Sequence, residues 1–141
     1  MSTEQTRKTM EHYVEALLSS GDFARYLATD VTFTIEGTDL KVQGRDAVRQ
    51  TIAFFHEQAF RTDIKIKSVM CDGNRAAIEA EFIGTHIGEF EGIKPTNRSV
   101  QLPYSVSYDV DDDAIRSLRL YFPLEALVRQ ISAPIVQAVS A

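Results

Sequence analysis

The sequence predicts a single α+β domain, spanning residues 1–141, in which a cone-shaped, curved antiparallel sheet wraps around helices. Three observations carry this expectation. Helical periodicity dominates the first part of the chain, and long alternating segments separated by turn signals dominate from Asp63 onward. A length of 141 residues fits one core and is short for two.

Between Thr3 and Leu18, the apolar residues Met10, Tyr13, Val14, Leu17 and Leu18 recur at three- and four-residue steps, the pattern of an amphipathic helix. Ser19, Ser20 and Gly21 end it, and Asp22 can cap a short second helix carrying Phe23, Tyr26 and Leu27. Val31–Ile35 alternates as a half-buried strand does. Gly37 and Gly44 bracket a turn, and residues 45–60 read as a helix whose buried stripe is Val48, Ile52, Phe55 and Ala59. Residues 63–71 form the next strand, and Asp72-Gly73-Asn74 is a hairpin turn into a strand over 75–86. After a loop containing Gly88, Gly92 and Pro95, strands 99–110 and 114–122 pair across Asp111–Asp113. Pro123 suits the first turn of a final helix over 124–131, and Pro134 interrupts any continuation of it. The mouth between helices and sheet is a natural small-molecule cavity.

Composition excludes several classes of function. A formal net charge of −5, with basic residues scattered, argues against a nucleic-acid or anionic-membrane surface. The single cysteine, Cys71, cannot form an internal disulfide and does not suit a cysteine-based zinc site. The polar start lacks the apolar run of a signal peptide, and no stretch approaches a membrane span, so a cytoplasmic location is expected.

Three stretches, in chain order, resemble the SnoaL-like polyketide and ester cyclases of the nuclear-transport-factor-like superfamily. They are Tyr13–Asp22 (YVEALLSSGD), Gly84–Arg98 (GTHIGEFEGIKPTNR) and Ile115–Gln130. The middle run is the specific one; Asn97 stands there where the family usually has glycine, and Asn tolerates the left-handed backbone such a turn needs. The resemblance implies a cystatin-like roll, frequent dimers and cofactor-independent acid–base chemistry on polyketide-like substrates. It also implies a catalytic Asp at the end of the last strand. Counted back from Leu127 and Gln130, that position is Pro123, which can neither take nor give a proton.

Cyclisation of a carbonyl-rich chain needs a base for an acidic C–H and a donor for the enolate oxygen. In the family register Asp109 is the candidate base. Arg119 and Tyr121, on the alternating face of the next strand, are the oxyanion donors facing it across the hairpin. The alternative for this group is an ordinary cross-strand ion pair at a sheet surface. His86, inside the middle motif, is a candidate proton shuttle or, alternatively, a tie between loop and strand. Tyr121, Tyr13, Ser107 and Phe55 are the expected substrate contacts. Glu36 and Asp39 sit near where related ketosteroid isomerases carry their base, with Tyr13 as the matching donor; a solvated turn is the alternative. His12 and His56 are expected to be solvated, Glu79 and Glu81 to form a wet strand face, and no metal or other cofactor is expected.

Strand 99–110 carries a conflict. Val100, Leu102, Tyr104, Val106, Tyr108 and Val110 form one face; Ser99, Gln101, Pro103, Ser105, Ser107 and Asp109 form the other. Alternation alone buries the first set under the helices. The family register, preferred over alternation at this strand, turns the polar set toward the cavity and leaves the apolar set to a homodimer interface through the sheet. Two functions are compatible with these residues: a cofactor-free cyclase or isomerase acting on a small hydrophobic, oxygenated molecule, or a binding protein that kept the cavity and lost the chemistry. An epoxide hydrolase or a ketosteroid-isomerase-like enzyme is a further alternative within the first.

Overall fold

The computed structural model describes residues 2–132; Pro134 lies outside them. Helix α1 (Thr3–Leu18) opens with Ser2 and Gln5 in a capping box and buries Met10 and Tyr13. Thr6 Oγ1 donates to the Gly73 carbonyl (2.6 Å) and Gly73 N–H to Thr3 Oγ1 (2.9 Å), which fastens the start of α1 to a distant hairpin turn. A 3-10 turn (Phe23–Tyr26) comes next, without a side-chain cap from Asp22.

The strands are β1 (Leu27–Ile35), β2 (Lys41–Gln43), β3 (Phe60–Thr62), β4 (Lys65–Asp72), β5 (Arg75–His86), β6 (Ser99–Asp111) and β7 (Ala114–Tyr121). They form a seven-stranded sheet in the order β2-β1-β7-β6-β5-β3, with β4 also on β5. The sheet is curved and wraps around helices as a half-barrel, the nuclear-transport-factor-like architecture expected. It is mixed rather than wholly antiparallel, because β1 lies parallel to β7. The two are joined through most of the chain, so no hairpin dictates their direction.

Helix α2 is shorter than its periodicity suggests. It runs Arg45–Ala53 and gives way to a π-helical turn, Phe54–Gln58, where Ala59 N–H bonds the Phe54 carbonyl (2.8 Å) before β3 begins. The short strands β2 and β3 are too brief to leave a pattern in sequence. Helix α3 (Leu124–Ser132) buries Leu127 and Ile131. Near the start of β6, before β7 pairs with it, the Gln130 amide receives Gln101 N–H (2.9 Å) and donates to the Gln101 carbonyl (3.0 Å). One side chain thereby satisfies a strand edge that no described strand pairs with there.

The middle motif is a packing device. Ile87 and Gly88 N–H both bond the Ala59 carbonyl (2.9 and 3.0 Å), and a Cβ at Gly88 would collide with the Gln58 carbonyl oxygen. Asn97 takes the left-handed backbone (φ 59°) expected of it. Gly88→Ala is expected to cost about 1–3 kcal/mol through overpacking, read as a lower midpoint in denaturant unfolding. An unchanged midpoint would mean the approach is looser than this.

Candidate functional site

The apolar face of β6 turns inward. Val100, Leu102, Val106, Tyr108 and Val110 are buried, while the alternate residues are exposed or half-buried. This corrects the register expected from the resemblance. Helices α1 and α2 present Met10, Tyr13, Val48 and Ile52 to the sheet, and only the apolar face can cover them without stranding polar groups. The apolar face that was expected to need a second subunit is covered by the chain itself.

Between helices and sheet lies a chamber of about 60 Å³. Helix α1 contributes Tyr13 and Leu17, β1 Phe33 and Ile35, α2 Ile52, and the π-helical turn Phe55 and His56. The sheet adds Phe82, Tyr104, Val106, Tyr108, Leu118 and Leu120, and Phe122, just past β7, completes the lining. Aromatic edges shape it: Phe82 meets Phe122 at 5.4 Å and 90°, Tyr104 meets Phe122 at 5.3 Å, and Tyr13 meets Tyr108 at 6.0 Å.

Among the described lining residues, the polar side-chain groups are the hydroxyls of Tyr13, Tyr104 and Tyr108 and the imidazole of His56. Burial raises the Tyr13 hydroxyl above its ordinary range, with the neighbouring Tyr104 adding to it. Burial likewise pushes Tyr104 up to about 12 and Tyr108 well above the ordinary value, helped there by Tyr13 and Tyr104. All three hydroxyls therefore stay protonated and available as neutral donors near one another. His56 keeps part of its surface accessible, yet burial of its ring lowers it to about 4, so it is uncharged at neutral pH. The ring lies edge-on to Phe82 at 6.5 Å. The expectation that His56 is solvated is thereby corrected; the helical period places it outward, but the wider π turn brings adjacent Phe55 and His56 to the same chamber. His12 is exposed, as expected.

Asp109 and Arg119 do meet, but on the outer face of the sheet. Arg119 Nη1 donates to Asp109 Oδ2 at 2.7 Å, Ser117 Oγ donates to the same oxygen at 2.7 Å, and Arg75 Nε lies 3.1 Å from Oδ1. The Arg119 hydrogen bond holds the Asp109 carboxyl below the usual carboxylate range, and Ser117 and Arg75 reinforce it. A carboxylate so held, engaged by three donors on the outer face with its side chain 43% exposed, matches the cross-strand ion pair. Ser107 and Tyr121 share this outer face, Ser107 opposite Arg119 and Tyr121 opposite Ser105. None of the four lines the chamber. Asp109→Asn is expected to shift stability by less than about 1 kcal/mol near neutral pH. Because the folded carboxyl is depressed, what the pair contributes is present above the unfolded carboxylate pKa and fades as pH falls through the folded one. A thermal melt of the variant across pH checks both.

His86 is fully buried and sits in the hinge of the middle motif. Thr96 N–H donates to its Nδ1 (3.2 Å), Thr96 Oγ1 lies 3.0 Å from the same nitrogen, and Arg98 N–H donates to Thr96 Oγ1 (3.2 Å). With Nδ1 accepting, the ring proton rests on Nε2, which has no hydrogen-bond partner among the described residues and packs among apolar groups such as Phe60, whose ring is 5.3 Å away. The geometry is that of a tie between loop and strand, outside the chamber lining. Of the residues expected at the site, the chamber contains Tyr13 and Phe55. Glu36 and Asp39 are exposed; Glu36 accepts a hydrogen bond from Thr34 Oγ1 (2.8 Å).

No helix among the described residues is long and apolar enough to cross a membrane. Comparison with solved structures finds the same fold repeatedly. A protein from Jannaschia sp. CCS1 assigned as a SnoaL-like polyketide cyclase superposes with a TM-score of 0.84 at 20% identity, covering 94% of each chain. One from Silicibacter sp. TM1040 assigned as a polyketide cyclase gives 0.81 at 22% identity, covering 94% of this chain and 99% of that one. An LEH-like epoxide hydrolase of M. tuberculosis gives 0.71 at 18% identity, covering 92% of this chain and 90% of that one. At these identities the likeness speaks for the fold. No curated protein matches the sequence. The sequence profile of the SnoaL-like polyketide cyclases matches residues 8–131. The chain therefore belongs to the SnoaL-like polyketide cyclase family, a class of cyclases and isomerases.

Proposed function

We propose that the protein is a cofactor-independent cyclase or isomerase whose chemistry runs inside the chamber, on a hydrophobic molecule carrying a carbonyl or enol oxygen. The observation that carries this reading is the composition of the chamber: apolar walls with three clustered phenolic hydroxyls and one uncharged imidazole, and no ion-paired group among the lining residues. Neutral donors fixed in a dry site stabilise an oxygen on which negative charge develops, because they need no reorganisation when it appears. Tyr13, Tyr104 and Tyr108 take that role. His56 offers an unprotonated imidazole lone pair to the C–H proton; lowered to about 4 it is a weak base, so the transfer depends on the hydroxyls holding the enolate oxygen as the proton leaves. In an aldol closure the enolate carbon forms the new carbon–carbon bond as the π bond of a second carbonyl opens, and the resulting alkoxide takes the proton that His56 removed, so no oxidant or reductant is needed.

A second reading, a binding protein on the same scaffold, is favoured by one specific observation. By the resemblance, the position of the family's catalytic Asp falls on Pro123, whose carbonyl accepts the Leu127 N–H (3.1 Å) in the first turn of α3, and among the described lining residues no carboxylate replaces it. Exchange of the acidic C–H of a 2-alkyl β-keto ester in D2O, monitored by NMR, separates the two. The enzyme reading expects exchange above the buffer rate at saturating protein. Binding without any acceleration would leave the second.

A further inference from the structure

The chamber is small for a site that takes a hydrophobic substrate. An engineered dry cavity of about 150 Å³ holds benzene, and this one is about 60 Å³, less than half of that. Directly outside it, a groove of about 690 Å³ runs between α2, the loop after β1 and the start of α3. Ile35 and Phe55 line both spaces, so the two adjoin at these side chains. The groove is walled by Leu40, Val42, Phe54 and Phe90 and contains Glu91, with no Lys or Arg among its lining residues.

We propose that the ligand is an elongated neutral molecule bound in two parts: a small oxygen-bearing head in the chamber and an apolar body in the groove. This rests on the chamber being the reactive site. The charge pattern sets the class. Among the described residues neither space offers a cation to balance a carboxylate, and Glu91 with a net charge of −5 opposes an anionic body. The division also assigns specificity: the hydroxyl cluster reads the head, and the groove reads the length and apolarity of the rest. Phe55 and Ile35, where the two spaces adjoin, are the side chains past which the body must begin.

Binding of a methyl-ketone series, 2-butanone to 2-decanone, measured by calorimetry or NMR titration, tests this. Affinity should rise up to about fourfold per added methylene as the chain enters the groove, and decanoate should bind at least tenfold more weakly than 2-decanone. Ala47 is an exposed helix residue on the groove wall, so Ala47→Trp fills the groove without touching the core. It should flatten the dependence on chain length and leave 2-butanone unchanged. Tyr104→Phe should instead weaken every ketone by a common factor of about fivefold. A full chain-length dependence in Ala47→Trp, or decanoate binding as well as 2-decanone, would overturn the two-part ligand while leaving the chamber reading intact. Ketone affinities unaltered by Tyr104→Phe would overturn the chamber as the head site, and the proposal with it. No binding of any ketone by the wild-type protein would overturn both.

Discussion

Replacing His56 with phenylalanine is expected to abolish proton exchange on the β-keto ester and to change the acid limb of the stability curve. The phenyl ring is larger than the imidazole it replaces beside Phe82, and the adjoining chamber can take the difference, so a folded variant is expected. The sign of the pH effect is set by the depressed folded pKa. Between about 6.5 and 4 the unfolded chain holds a proton on His56 that the folded chain does not, so the wild type loses stability as pH falls through this window. The shift from 6.5 to about 4 corresponds to a loss on the order of 3 kcal/mol, and His56→Phe does not suffer that part. Urea unfolding at pH 7 and pH 4 measures it: the variant gains on the wild type as the medium is acidified. Equal acid sensitivity in both proteins would place His56 in water and remove it from the chamber. Catalysis provides an independent readout, since exchange should be level above about pH 5 and fall only as His56 charges.

The second large effect is expected from Leu17→Trp. Leu17 sits on α1 at the chamber wall and is only partly buried, so an indole can be accepted by the helix while filling the space. Binding of the β-keto ester should fall at least a hundredfold, and exchange should fall to the buffer rate, while far-UV circular dichroism stays that of the wild type. Asp109→Asn serves as the contrast: binding and exchange are expected to be unaltered. Retained binding in Leu17→Trp together with loss in Asp109→Asn would move the site to the outer face of the sheet.

Much of the fold could be read from the chain because it is written in periods. The 3.6-residue stripe Met10, Tyr13, Val14, Leu17 bounds α1, and the turn Asp72-Gly73-Asn74 marks where β4 passes to β5. Alternation also held the right answer for β6: Val106 and Tyr108 face the helices, as their apolarity requires. The family register pointed the other way. Its error shows that a motif can place residues along a strand correctly and still assign the wrong face, since a slip of one residue exchanges the two faces. Asp109 and Arg119 were legible as neighbours for the same reason, cross-strand proximity, but proximity says nothing about which side of the sheet they occupy.

His56 escaped because its position depends on a π turn, which has no sequence period of its own. One signal was available. Phe54, Phe55 and His56 are consecutive bulky rings, and a regular helix cannot turn all three toward one side, so such a run marks a place where α-helical geometry gives way. The packing role of Gly88 was similarly hidden. It is set by the backbone of residue 58, far enough along the chain that no local pattern announces the contact.

The central claim is the location of the site inside the curved sheet. Intermolecular nuclear Overhauser contacts from a bound 2-alkyl β-keto ester test it most directly. Contacts are expected from the ester to the ring protons of Tyr13, Tyr104, Tyr108 and Phe82, which line the chamber. Contacts confined to Ser107, Arg119 and Tyr121, on the opposite face of the same strands, would contradict it.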